Sequence, residues 1–223
     1  KSGERYRLLR GDRGYRSSSY HDGPPSASGL SQGAVIMVYG LDNEMNCDRL
    51  FNLFCLYGNV VRIKFLKTKD NAAMVQMGDA LAVDRCMNML NNIYFFGNKL
   101  QLGHSKQAFL KDVASPHDLP DGTTSFKDFM GSRNNRFSNP EAASKNHILF
   151  IVGPSQNLHF FNTPPTISEE EIVEVYNSRF VLGERSCTGL CEFENKAWAI
   201  EALILANHVS IDNPSYIFVT FTM

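Results

Sequence analysis

The chain has 223 residues, with 22 basic against 23 acidic side chains, a formal net charge of −1 and 43% hydrophobic content. That balance is poor for a protein that holds duplex DNA through its phosphates, but it suits a single-strand binder that relies on stacking and base-edge contacts. No apolar run approaches the ~20 residues of a membrane span and no signal peptide is expected, so the chain is read as soluble, with one to three domains.

Residues 1–32 carry Lys1, Arg5, Arg7, Arg10, Arg13 and Arg16, then Ser17-Ser18-Ser19 and Gly23-Pro24-Pro25, without apolar periodicity. A disordered basic arm is expected there, either a solvated linker or a phosphate-attracting tail.

A first unit is expected over residues 33–107. Ala34 to Leu41 is an apolar run of strand length that meets a glycine, Gly40. Asn46 is placed to cap a helix whose Leu50, Leu53, Phe54 and Tyr57 fall at i, i+3, i+4 and i+7, with Gly58 after it. Val60 to Leu66 alternates, with Val61, Ile63 and Phe65 on one parity and Arg62, Lys64 and Leu66 on the other, which predicts a half-buried strand with a basic open face. A polar turn at 67–71, a partner strand from Ala72 to Met77, a helix from about Asp79 to Leu90 and a strand from Leu100 to Gly103 complete the order strand, helix, strand, strand, helix, strand.

Residues 108–153 form a linker, but Phe126, Phe129 and Phe137 are too apolar for a free one. Long structureless loops are uncommon in compact units, so Phe126 and Phe129 are expected to pack from one side of a short helical turn.

The second unit, 154–223, is a shortened and divergent copy. It holds the strand Leu158 to Asn162, a capping box at Ser168-Glu169-Glu170-Glu171 that opens a helix through Ile172, Val175 and Tyr176, and a short strand near Phe180 to Leu182. Gly189 to Phe193, a helix from Lys196 to Ala206 capped by Asn195, and a closing strand from Ile217 to Phe221 follow. That last helix is apolar nearly all round, so Trp198, Ile200 and Ile204, with Phe126 and Phe129, are expected to pack between the units. The fold class is α+β: two ferredoxin-like βαββαβ units, each a four-stranded antiparallel sheet with two helices on one face.

Alternation names the face left open. In the first unit it carries Met37, Tyr39, Arg62, Lys64, Ala72, Met74, Gln76 and Gln101, with Lys106 just beyond; in the second, His159, Phe161, Leu190, Phe218 and Thr220. Cys47, Cys55, Cys86, Cys187 and Cys191 show neither Cys-x-x-Cys nor a matching His pair, so no metal site is expected and free thiols in a reducing compartment are. No glycine-rich phosphate loop, nucleophile–base constellation or carboxylate pair stands in a recognisable frame, so neither catalysis nor a cofactor is expected.

The two units resemble RNA recognition motifs over about two-thirds of the chain. The family's hexamer falls on Ile36 to Leu41 and its octamer on Asp70 to Met77, where Asp70, Asn71, Ala72 and Met74 replace the usual basic residue, glycine and aromatics. Met37 to Leu41, Met45 to Arg49, Phe54 to Val60, Phe126 to Phe129, Ser132 to Phe137 and Leu158 to Asn162 more narrowly resemble the L-type heterogeneous nuclear ribonucleoprotein family, relatives of the polypyrimidine-tract binders. The resemblance implies binding of CA-rich or pyrimidine-containing single-stranded RNA, a nuclear role in splicing with other splicing factors as partners, and two units packed through helices and an ordered linker. It also sets His159 at the hexamer's stacking position. Neither a membrane nor a small-molecule substrate is implied. The short middle of the second unit and the apolar stretch His147 to Val152 depart from the family and leave the first unit's site the better supported. A second reading stays open, favoured by the near-neutral charge: a protein-interaction module of the same fold.

Overall fold

In the computed structural model, which describes residues 33–137, 151–162, 179–182, 188–212 and 215–223, the apolar run after Gly33 forms β1 (Val35–Tyr39). All these residues belong to one unit, Gln32–Met223. The basic arm, the helix expected after Ser168, residues 147–150 and Cys187 lie outside the described residues.

After β1 come α1 (Cys47–Phe54), β2 (Val60–Phe65), β3 (Ala72–Met77), α2 (Ala80–Leu90), β4 (Tyr94–Phe95), β5 (Asn98–Lys99), β6 (Gln101–His104) and β7 (Phe126–Asp128). The second half holds β8 (Asn157–Phe161), β9 (Arg179–Leu182), β10 (Thr188–Glu192), α3 (Lys196–Ala206), β11 (Ser210–Asp212), β12 (Ser215–Tyr216) and β13 (Phe218–Thr222). Two main antiparallel sheets result, ordered β6-β1-β3-β2-β7 and β13-β8-β10-β9, with β4–β5 and β11–β12 as separate two-stranded pairs.

Local chemistry sets the element ends. Asn46, Asp79 and Asn195 each stand in extended conformation before a helix and accept the N–H three residues on, at 2.8, 2.7 and 3.0 Å. Gly40 ends β1 at φ +77°, and a Cβ there would sit 2.1 Å from the Lys99 carbonyl oxygen, so only glycine lets the chain leave the strand at this place.

Ile36, Val38, Ile63 and Val75 bury one face of the first sheet against Leu50, Leu53 and Phe54 of α1 and Val83, Cys86 and Leu90 of α2. The strict alternation expected of β2 breaks at its start. A register shift between Val60 and Arg62 puts Val60 in the core and leaves Val61 only half-buried, because a bulge inserts one unpaired residue and moves the side chains before it to the other parity.

The linker is also not what alternation and composition suggest. Phe126 lies in β7, a fifth strand added beside β2, and not on a helical turn. Phe129, just beyond, is buried and stacks on Phe51 of α1 with ring centroids 4.4 Å apart. Asn135 then grips the start of β2: its amide accepts from Val60 N–H at 2.9 Å and donates to the Val60 and Phe129 carbonyls, each at 3.0 Å.

α3 is apolar nearly all round because two sides are covered. Ala199, Ile200, Leu203 and Ile204 are buried, and the helix touches both the second sheet and α1. Trp198 is the correction: it is 50% exposed, and Leu205 is exposed seven residues on, so these two lie on the side that neither the sheet nor α1 covers.

Candidate nucleic-acid interface

On the second sheet, Leu158, Phe160, Cys191, Val219 and Phe221 point into the core. The other parity therefore presents His159, Phe161, Leu190, Phe218 and Thr220 together, as pairing brings Leu190 and Thr220 beside His159 and Phe218 beside Phe161. The Phe161 and Phe218 rings stack at 5.4 Å with planes 17° apart, and His159 stacks on Phe161 at 5.7 Å. Thr188 donates its hydroxyl proton to the Phe160 carbonyl at 2.8 Å, so its oxygen accepts from His159 Nε2–H. Burial lowers the His159 pKa, which favours the neutral ring with its Nδ1 lone pair available as an acceptor. The result is a row of flat π-surfaces with one polar edge, the arrangement on which unpaired bases stack.

The first sheet is different. Its open parity carries Met37, Tyr39, Lys64, Met74, Gln76 and Gln101, but residues 107–112 cross it. Leu110 is 1% exposed and packs on Val35 and Met74, which is itself only 6% exposed, with Met37 and Leu66 at the margin. Leu110 N–H donates to Gln76 Oε1 at 2.8 Å, and Arg62 Nη1 donates to the Leu110 carbonyl at 2.7 Å. Arg62 also pairs with Asp128 at 2.8 Å and Asp112 at 3.1 Å. The Arg62 hydrogen bond, with a further one from Met130 N–H, holds the Asp128 carboxyl below its usual range. Positions that Leu110 does not cover remain elsewhere on the sheet. Lys64 is half-buried, Gln101 and Lys106 are exposed, and the Lys69 ammonium lies 4.2 Å from the centroid of the Tyr39 ring.

The two sheets are joined through a polar junction. Asn52 on α1 donates to the Ile204 carbonyl at 2.8 Å, so its Oδ1 faces His208 Nδ1 at 2.9 Å and fixes that nitrogen as the protonated one. Asn207 donates to the Asn52 carbonyl at 3.0 Å and accepts from Val219 N–H at 3.0 Å. Arg136 donates to the Val219 carbonyl at 2.7 Å. His208 Nε2 is buried without a partner among the described residues, so a second proton there finds no acceptor among them, and burial together with the Arg136 charge pushes its pKa down to about 3.

The sequence agrees with this architecture: the family model described as "RNA recognition motif (a.k.a. RRM, RBD, or RNP domain)" matches residues 10–132 and one described as "RRM domain" matches residues 145–223. The chain belongs to the RNA recognition motif family. Heterogeneous nuclear ribonucleoprotein L of Homo sapiens is 48% identical to it over 193 residues, 81% of this chain and 32% of that protein. Polypyrimidine tract-binding protein homolog 3 of Arabidopsis thaliana is 32% identical over 84% of this chain and 42% of its own length. The chain thus spans about a third of the length of the L-type relatives it matches. A solved structure titled "SXL-lethal protein/RNA complex" is similar at 14% identity and a TM-score of 0.31, over 85% of this chain and 99% of its own.

Within these two RNA recognition motifs, the residues expected to pack between them separate. Phe129, Ile200 and Ile204 lie at or behind the junction, Phe126 lines the added strand and Trp198 faces outward. Asn52, Asn207 and His208 were missed, since single polar residues in or after a helix leave no periodic signal. Arg136 was within reach: it stands inside the segment Ser132 to Phe137 on which the L-type resemblance rests. Among the described residues no cluster of three metal-ligating side chains occurs, and no helix is long and apolar enough to cross a membrane.

Proposed function

We propose that the chain binds single-stranded RNA across its two open sheet faces, with the aromatic row of the second motif as the principal platform. The observation that carries this reading is the stacked series His159, Phe161 and Phe218 on a face that the described helices leave free. A base stacked on an aromatic ring contributes roughly 1–3 kcal/mol, and this face offers more than one ring. The first motif contributes Tyr39, Lys64, Gln101 and Lys106, which Leu110 leaves uncovered; Met37, Met74 and Gln76 contribute once that segment is displaced, while Arg62 holds β7 and the segment in place. Similarity to heterogeneous nuclear ribonucleoprotein L and to a polypyrimidine tract-binding homolog supports CA-rich or pyrimidine-containing pre-mRNA as the ligand. It also supports a nucleoplasmic role in mRNA processing and splicing regulation, without catalysis. Fluorescence anisotropy with CA-repeat and pyrimidine-rich oligomers tests this. Binding no tighter than to an abasic oligomer, at low salt, would reject it.

A second reading is favoured by the outward side of α3, where Trp198 and Leu205 are exposed: recruitment of another splicing factor through the helices. NMR shift mapping separates the two, since RNA would shift His159 and Phe218 whereas a protein partner would shift Trp198.

A further inference from the structure

We propose that Arg136, a linker residue held by the first motif, is a positioning residue for the Phe161–Phe218 platform of the second. This rests on the reading that the second sheet binds RNA. The residues flanking Arg136 are anchored to the first motif, Asn135 through three hydrogen bonds to Val60 and Phe129, and Phe137 through its N–H to Asn59 Oδ1 at 3.0 Å. From that base the guanidinium reaches the second motif and lies 5.8 Å from the Phe161 centroid and 6.0 Å from that of Phe218. It therefore serves both rings of the stack at once.

Its remaining bonds bear on the same rings. Nη2 donates to the carbonyl of Val219, the residue next to Phe218, and contacts Asn207 Oδ1 at 3.3 Å, the atom that also receives Val219 N–H. Arg136 and Asn207 between them hold both backbone groups of the residue beside the ring. His208, bonded to Asn52 of the first motif, sets its ring edge against Phe218 at 5.5 Å, 81° from coplanar. Among the described residues no carboxylate pairs with Arg136, and its Nε is buried without a partner. Among the described residues this desolvated cation meets only π-faces and neutral oxygens, a setting that is costly unless its ring contacts are good, and cation–π attraction strengthens when desolvated. The Phe218 ring angle thus follows the docking of the first motif, and the second motif's RNA affinity is coupled to it.

The test is anisotropy of a fluorescein-labelled CA-repeat oligomer on the full chain, with R136A, R136K, F218A and the double variant R136A/F218A. R136A is expected to weaken binding about tenfold, with an unchanged dependence on salt, and the double variant is expected to bind like F218A alone. R136K keeps the charge but not the planar fork, so it falls between R136A and the wild type; it carries the test if R136A does not fold, and thermal melting reports which case holds. Additive effects of R136A and F218A overturn the proposal, as does wild-type affinity in either Arg136 variant. A salt slope lowered by about 0.7 in R136A overturns it in favour of direct phosphate contact. Wild-type binding by folded F218A removes the RNA reading of the second sheet, and the proposal with it.

Discussion

Phe51 of α1 and Phe129 of the linker stack with their planes 14° apart, and His208 closes on Phe51 from the second motif at 5.5 Å. The linker ring therefore backs the Phe51 ring on which the second motif closes. Phe129→Ala is expected to cost about 3 kcal/mol, the usual size for removing a buried phenyl group. Chemical denaturation measures the loss, and faster, separate tumbling by NMR relaxation shows where it falls. A change below about 1 kcal/mol would mean that the ring is only laid against the surface.

Leu110 covers the part of the first sheet that carries Met74 and Gln76. Leu110→Ala should destabilise the chain by about 2 kcal/mol, at the low end for a buried leucine because a surface segment can collapse. The same change should raise RNA affinity of the first motif, as the segment no longer competes for its face. A fall in affinity in a folded L110A protein would instead make the segment part of the binding surface.

Lys64 and Arg62 were paired by strand alternation, yet their partners separate them. Arg62 is committed to Asp128 and Asp112, whereas Lys64 has no ion-pair partner among the described residues. Lys64→Ala should therefore lower the slope of log affinity against log salt by roughly 0.7, the share of one neutralised phosphate on a single strand. Arg62→Ala should leave that slope nearly unchanged and loosen β7 and the Leu110 segment, seen as faster amide exchange there. Equal effects on the slope would contradict this division.

His208 makes stability depend on pH in a defined direction. Its folded pKa of about 3 lies below the ~6.5 of an unfolded histidine. The unfolded chain thus takes up a proton that the folded chain refuses, so stability is complete above about pH 6.5 and falls by up to one proton's slope as pH drops toward 3. His159, also lowered by burial, adds in the same sense. His208→Asn keeps a residue type that tolerates the left-handed backbone at φ 65°. Urea titrations between pH 4 and 7 should show a shallower acid slope for H208N; an unchanged slope would place the titration elsewhere.

His159→Ala removes a ring and the acceptor at Nδ1 from the platform without touching the junction. RNA binding is expected to weaken about tenfold or more, with the melting temperature little altered. Unaltered anisotropy curves would take His159 out of the site.

Much of the scaffold was legible because it depends on short-range rules. Asn46 and Asn195 sit before apolar periodic runs, and side chains alternate along β8 and β13, so the helix starts and the second open face followed directly. What escaped lies at longer range. The bulge at Val60 arises where Asn135 bonds the strand, the fifth strand comes from residues that alternation does not mark, and Asn207 meets Asn52 across 155 positions of chain. Two short hairpins, β4–β5 and β11–β12, were missed for the opposite reason: they are too brief to show a period. Trp198 was misplaced because an apolar helix names no outward side until its neighbours are known.

β13 is the outermost strand of its sheet among the described residues, and such a strand ordinarily offers a line of open amides to any other extended chain. Here the offer is withdrawn. Val219 gives its N–H to Asn207 and its carbonyl to Arg136, while Ile217 gives its N–H to the Val209 carbonyl and accepts from His208 N–H. Docking of the two motifs thereby acts as a stopper against edge-to-edge polymerisation, and Asn207→Ala in a concentrated solution should expose the lost protection as aggregation from an otherwise folded protein.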